Sequence, residues 1–145
     1  MSTTTYFPTS NVVAHAWKGV VAGVGGGIVF GVLMAMMGML TMVAGLVGSS
    51  SAGVGALVHL VISAGIGLVL GVLAGSFADR IGPVLGAGLV YGMIWWVLGP
   101  LVLMPAMLGM PLFAVDQAAM MSLVGHTIYG VVTAAVLYAL SRCPA

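Results

Sequence analysis

The chain has 145 residues, of which 62% are hydrophobic and 3% are charged, and its formal net charge is +1. Soluble domains carry about a quarter charged residues, so a chain of this composition cannot cover itself with a hydrated surface. The composition therefore predicts an integral membrane protein in contact with lipid. The low net charge excludes the basic surface typical of nucleic-acid binding. The single cysteine excludes an intrachain disulfide and a Cys-based metal site.

Four apolar stretches are long enough to cross a bilayer, since about 20 residues rising about 1.5 Å each span about 30 Å of hydrocarbon. We predict a polar segment over residues 1–14 and, over residues 15–145, a single all-α domain of four transmembrane helices. The links between the stretches are short, so consecutive helices are expected to be antiparallel neighbours. The predicted spans are residues 17–47, 53–77, 83–109 and 115–140.

The few cations predict the orientation of this bundle. Lys18, Arg80 and Arg142 all fall on one side of a four-span arrangement. Cations near membrane spans concentrate on the cytoplasmic side, so both chain termini are expected to be cytoplasmic. The opposite side keeps Asp116 and the serines at 49–51. We expect a multi-pass protein of the bacterial inner membrane.

The sequence also matches itself. Sliding the chain along itself lays residues 27–31 over residues 88–92, and a slightly longer shift lays His59 over His126. This match predicts two tandem helical hairpins that enter the membrane in the same direction, with a symmetry axis along the membrane normal rather than in its plane. The predicted repeat units are residues 19–77 and 82–140.

Small residues spaced four apart form rows on the predicted helices. In lipid there is no hydrophobic drive between helices, so small side chains that allow close backbone approach mark the contact faces. The third span also contains Pro100 and Pro105, which are expected to kink it because proline removes an intrahelical hydrogen bond. The predicted packing glycines are Gly23, Gly27, Gly31, Gly67, Gly71, Gly75, Gly88, Gly92 and Gly130.

His59 and His126 are the candidate functional residues. Each heads a row of small residues, and both lie on the order of 12 Å below the non-cytoplasmic surface at about 1.5 Å per residue. An ionisable residue inside the membrane is a functional hypothesis by default. Neutral imidazole binds haem iron, copper and zinc, so the pair predicts either a b-type haem held between the helices or a metal site. The alternative is structural: a neutral histidine can bond a carbonyl of a neighbouring helix, or Ser63.

The two cofactor hypotheses make different demands on the sequence. A metal ion needs a third ligand, for which Met120, Met121 and Asp116 are available. A haem needs cations for its propionates, and no Arg or Lys lies on the histidine side of the bundle. No aromatic cluster in the sequence marks a porphyrin pocket there either.

Methionine is abundant, at 12 residues, and clusters in two places. Thioethers are soft ligands that suit Cu(I), so one interpretation of these clusters is a copper path. Methionine also fills irregular gaps in cores, and that interpretation is the simpler one. The clusters are Met34, Met36, Met37, Met39 and Met42 in the first span and Met104, Met107 and Met110 in the third.

The predicted spans contain no Asp, Glu, Lys or Arg apart from the ends, and no nucleophile triad, zinc-protease or phosphate-loop motif occurs. We therefore expect no enzymatic activity. The first hypothesis is a non-enzymatic membrane subunit that binds haem b or a metal such as copper between His59 and His126, for electron transfer or cofactor handling. The second is a structural subunit that packs through its glycine faces into a homo-oligomer or a larger membrane complex. A third is a small conduit for copper or another solute.

Overall fold

The structure, a computed structural model, describes residues 9–142, with side chains from residue 11 onward. This part of the chain is helical and contains no strand. A 3₁₀ turn at Gly75–Phe77 extends the third helix, and a π-helical turn at Gly99–Leu103 joins the fourth helix to the fifth. The helices are α1 (Thr9–Met36), α2 (Leu40–Gly45), α3 (Ala52–Ala74), α4 (Ile81–Leu98), α5 (Met104–Leu108) and α6 (Gln117–Arg142).

Within the described residues, four helical segments are long and apolar enough to cross a membrane. The expectation of an all-α, multi-pass membrane protein is confirmed at this level. Two of the segments combine elements, since α3 continues through its 3₁₀ turn and α4 continues through the π turn into α5. The segments are Asn11–Met36, Ala52–Phe77, Ile81–Leu108 and Gln117–Arg142.

The first span differs from its predicted range of 17–47. Helix α1 begins at Thr9 and ends at Met36, so part of the predicted polar segment is helical, and residues 1–8 lie outside the described part. Gly38 ends the helix because its φ of +69° lies in the left-handed region that favours glycine. The chain then continues as α2, which packs against α3. Residues 37–47 are apolar because α2 is buried on one side, not because α1 continues.

The fourth span also begins two residues later than predicted. The Asp116 carboxylate accepts a hydrogen bond from the Ala119 N–H at 2.8 Å. This is an N-cap, in which a side-chain oxygen satisfies one of the free N–H groups of the first helical turn. Helix α6 therefore begins at Gln117, directly after the cap.

Helix α1 is the central element of the bundle. One of its faces packs along α3 and another along α6, whereas α3 and α4 make few contacts. On the α3 side, a Cβ added to Gly19 or Gly23 would collide with the α3 backbone around Gly67. At the Thr9 end of α1, His15 packs against Gly75. The backbones thus meet without intervening side chains, which is how helices associate in lipid.

The other two interfaces use the same device. Between α4 and α6, a Cβ on Gly88 would collide with Gly130, and one on Gly92 would collide with the His126 carbonyl. Between α1 and α6, Gly125 of α6 makes room for the Phe30 ring of α1. The glycines predicted to pack all lie at helix interfaces; Gly67 and Gly71 belong to α3, and Gly75 begins the 3₁₀ turn that extends it.

The third span departs from regular α-helix at its prolines. Pro100 lies in the π-helical turn, and Pro105 lies in α5, where it has no N–H to give to the carbonyl of Leu101. That carbonyl instead accepts a hydrogen bond from the Phe113 N–H at 2.9 Å. The bond folds the loop between α5 and α6 back over the end of the bundle.

Replacing Gly67 with alanine is expected to destabilise the bundle by about 1–3 kcal/mol, because the new methyl group would overpack the contact with Gly19 and Gly23. Gly65→Ala is the matched control, since Gly65 lies on the same helix with no atom within 4 Å of an added Cβ. Alanine there gains up to about 1 kcal/mol of helix propensity. Thermal unfolding followed by circular dichroism measures both variants; equal midpoints for the two would contradict this account of the interface.

Candidate functional site

A cavity of about 350 Å³ lies at the end of the bundle that carries α2 and α5. We call it the histidine cavity, because both His59 and His126 line it. Its walls come from α1, α2 and α3 on one side and from α4, the π turn, α5 and α6 on the other. The lining is mostly apolar, and its rim is formed by the loop before α6, including Pro111 and Asp116. The structure thus brings the two predicted site residues to one space.

The Phe30 ring packs against both imidazoles. Its centroid is 5.3 Å from that of His59 and 4.9 Å from that of His126, and both contacts are edge-to-face. Phe30 is only 4% exposed. One buried aromatic ring thus contacts both imidazoles.

His59 joins two helices. Its Nε2 lies 3.0 Å from the carbonyl oxygen of Gly27 on α1. A carbonyl can only accept, and a neutral imidazole has one N–H, so Nε2 is the protonated nitrogen. The structural alternative considered for this residue therefore matches its contact, although the partner is a carbonyl of α1 and not Ser63. The Ser63 carbonyl itself accepts a hydrogen bond from the Tyr129 hydroxyl at 2.7 Å.

His126 is held differently. Its Nδ1 lies 2.8 Å from the Ser122 carbonyl oxygen, one turn earlier on the same helix, and 3.2 Å from the Ser122 hydroxyl. Nδ1 is therefore the protonated nitrogen, and the lone pair is on Nε2. Nε2 faces the π turn, where a Cβ added to Gly99 would lie 3.7 Å from it. Within the described residues no hydrogen bond to this nitrogen is found, so it is free to accept one or to bind a ligand.

The two histidines make different bonds. Gly31 of α1 lies against the His59 ring, whereas Gly92, the residue that the self-match pairs with Gly31, lies against the backbone carbonyl of His126. By the same match, His126 would bond the carbonyl of Gly88 if it copied His59. It bonds its own helix instead. One histidine is thus engaged between helices, and the other presents a free nitrogen.

Met120 and Met121, the predicted metal ligands, do not reach the histidine cavity. Both are about half exposed, at 50% and 44%, and neither lines it. The reason is helical geometry: residues four and seven positions before His126 share its face, whereas those five and six before it are turned about 120–140° away. Helix α6 presents Ser122 and Ala119 to the cavity instead.

The methionines that do line the cavity come from the two clusters noted in the sequence. They belong to opposite walls, three from the end of α1 and the α2 region, and three from α5 and the residues that follow it. The clustering of methionines in the sequence indicated a possible copper path, but it could not show that the two clusters face each other across one cavity. The six are Met34, Met39, Met42, Met104, Met107 and Met110.

Two tryptophans hold the wall formed by α4. The Trp96 indole N–H donates a hydrogen bond to the Ala119 carbonyl at 2.8 Å, tying α4 to the first turn of α6. Trp95 lines the cavity and packs edge-on against Tyr91. The Tyr91 hydroxyl donates to the Ile66 carbonyl at 2.8 Å, bridging α4 and α3 where these helices make few contacts.

Acidic and thiol ligands do not gather at the cavity. Among the described residues there is no group of three or more His, Cys, Asp or Glu side chains placed to hold a metal ion. Asp116 lies at the rim, but its carboxylate caps α6. Cys143 lies outside the described residues.

No family model, curated protein or solved structure matches the chain. The chemistry of the cavity is therefore inferred from its own residues.

Nuclear magnetic resonance of protein labelled with ¹⁵N-histidine is expected to show opposite tautomers for the two residues. His59 should be protonated on Nε2 and His126 on Nδ1, because each carbonyl contact requires a donor. The chain has only three histidines, so His15→Gln and His59→Gln variants suffice to assign the signals. An Nε2-protonated His126 would contradict the free lone pair described above.

Proposed function

We propose that this protein is a non-enzymatic, multi-pass membrane protein that binds a cofactor or metal ion in the histidine cavity and serves electron transfer or cofactor handling. The observation that carries the proposal is that both histidines line one cavity of about 350 Å³, with Nε2 of His126 free. Ligand sites in proteins are concavities of about 300–1,000 Å³, mostly apolar, with a few polar groups that orient the ligand. The histidine cavity has these properties.

The proposal includes the architecture and its orientation. The chain forms two tandem, parallel-related hairpins with both termini in the cytoplasm. Support comes from packing, since α1 pairs with α3 and α4 pairs with α6, and from the side that Lys18, Arg80 and Arg142 share. The rim of the histidine cavity is then on the non-cytoplasmic side, because it lies at the opposite end of α6 from Arg142.

Cysteine labelling tests the orientation. In a Cys143→Ser background, Ser50→Cys should react with a membrane-impermeant maleimide in intact cells, because the link between α2 and α3 is placed outside. Asp79→Cys, in the exposed link between α3 and α4, is the matched control and should react only after the membrane is permeabilised. The reverse pattern would place the termini and the cavity on the opposite sides.

The haem b hypothesis remains a prediction, and the geometry makes demands on it. A porphyrin held by both imidazoles needs space next to each of them, and the Phe30 ring already packs against both. It also requires a free nitrogen on His59, whose Nε2–H is bonded to Gly27. A metal ion is small enough to bind at His126 without displacing Phe30. The contacts therefore favour a metal ion over haem.

One observation favours the structural alternative, a subunit that packs into a homo-oligomer or a larger complex. Gly82 and Gly86 are exposed, four residues apart on α4, with no atom within 4 Å of an added Cβ. A row of this kind suits close approach of another helix. In this alternative the histidine cavity is a gap in packing and holds no ligand.

Purified protein is expected to carry a bound ligand that is retained only when the histidine cavity is open. Ala118→Phe should lower its amount at least tenfold, because the new ring would fill space between the cavity walls. Ala135→Phe, on the exposed face of α6, is the matched control and should leave it unchanged. Native mass spectrometry, elemental analysis and an absorption spectrum measure the ligand, and a Soret band lost in His126→Ala would identify haem.

Two results would contradict this proposal. Protein from its own membranes that contains no bound mass, metal or chromophore removes the binding function. Migration of that empty protein only within a larger complex would favour the structural alternative. A ligand retained equally by Ala118→Phe and Ala135→Phe would place the binding outside the histidine cavity.

A further inference from the structure

We propose that the ligand of the histidine cavity is Cu(I), bound by Nε2 of His126 together with methionine thioethers from the two facing walls. This inference rests on the proposed function and names the ion class that the site takes. Its ligands are drawn from one free imidazole nitrogen and the six methionines that line the cavity.

The thioethers come from both sides of the cavity. Met34 of α1 lies on one wall, and Met104 and Met107 of α5 lie on the other. Thioether sulfur is a soft ligand that selects Cu(I) over the harder divalent ions. Six of the chain's 12 methionines line this one space, whereas Met93, Met120 and Met121 lie exposed elsewhere. An even scatter of filler side chains would not produce two facing clusters.

His126 has the arrangement of a metal-binding histidine. Histidines that bind metals almost always donate the other ring N–H to a carboxylate, a carbonyl or water, which fixes the tautomer and the ring orientation. The bond from Nδ1 to the Ser122 carbonyl, at 2.8 Å, does this and directs the lone pair of Nε2 away from its own helix. His59 is a positioning residue instead, because its N–H holds α3 to α1 beside the Phe30 ring.

The charge of the site selects a monovalent ion. Zn²⁺ is bound by thiolate, imidazole and carboxylate, and the described residues contain no cluster of three or more such groups. The solvation cost of a buried ion rises with the square of its charge, so neutral ligands in an apolar cavity suit Cu(I) better than a divalent ion. Asp116, the acid at the rim, is engaged as the cap of α6.

The methionines also mark a route into the cavity. Met107 and Met110 are 65% and 47% exposed at the rim, whereas Met34 is only 6% exposed at the inner wall. Met104 is half-buried, between these extremes of exposure. An ion arriving at the rim therefore meets thioethers before it reaches His126.

The test is an anaerobic titration of the full-length protein in lipid nanodiscs with Cu(I), in competition with the chromophoric chelator bicinchoninate. Wild-type protein should bind one Cu(I) per chain. The double variant Met34→Leu/Met104→Leu and the single variant His126→Gln should each weaken binding at least tenfold. Leucine nearly conserves the volume of methionine, so the double variant keeps the packing of the bundle.

The matched control is Met93→Leu/Met121→Leu, which removes two exposed thioethers outside the cavity. It should bind within twofold of wild type. X-ray absorption of the copper-loaded protein should show both sulfur and nitrogen neighbours, and His126→Gln should remove the nitrogen component. Circular dichroism checks that each variant is folded. If His126→Gln does not fold, the comparison of Met34→Leu/Met104→Leu with its control decides whether the thioethers bind Cu(I).

Three outcomes would overturn this inference: no stoichiometric Cu(I) binding, equal loss in cavity and control variants, or unchanged binding in both cavity variants. Its failure is distinguishable from failure of the proposed function. A native ligand other than copper that is lost in Ala118→Phe would remove Cu(I) and leave the cavity as a binding site.

Discussion

The backbone contact between α1 and its neighbours is the constraint on which the rest of the bundle depends. Lipid offers no hydrophobic drive between helices, so association requires surfaces that approach closely. Gly19 and Gly23 provide this against α3, and Gly26 provides it against α6. Further along α1 the small residues give way to Phe30 and Met34, and the helices no longer meet at their backbones. The histidine cavity is the space that this change in side-chain size leaves.

The ends of the cavity are set by breaks in helical hydrogen bonding. Gly38 turns the chain so that α2 covers one side, and Pro105 frees the carbonyl that draws Phe113 over the other. The π turn adds a third irregularity, beside Nε2 of His126. At Pro105 the missing proline N–H leaves the Leu101 carbonyl free to accept the hydrogen bond from Phe113.

Much of the fold could be predicted from the sequence, because hydropathy and length determine how many helices cross a membrane. The end of α1 could not be predicted, since residues 37–47, which form α2 and the turns beside it, are as apolar as a continuation of α1 would be. Among the site residues, the histidines were identifiable as ionisable groups in apolar helices. Their different bonds were not, because tautomer and partner depend on neighbours distant in sequence. Met120 and Met121 were predicted as metal ligands, but helical rotation turns them away from the cavity.

The continuity of α1 has a mechanical consequence. It is one unbroken helix from Thr9 to Met36, and it reaches from His15 to the wall of the cavity. It packs closely on both sides, through its backbone at Gly19 and Gly23 against α3, and through Gly26 and the Phe30 ring against α6, so a tilt against one neighbour shifts it against the other. A force or a bound partner at the His15 end would therefore move α1 as a unit and displace Phe30 and Met34 at the cavity.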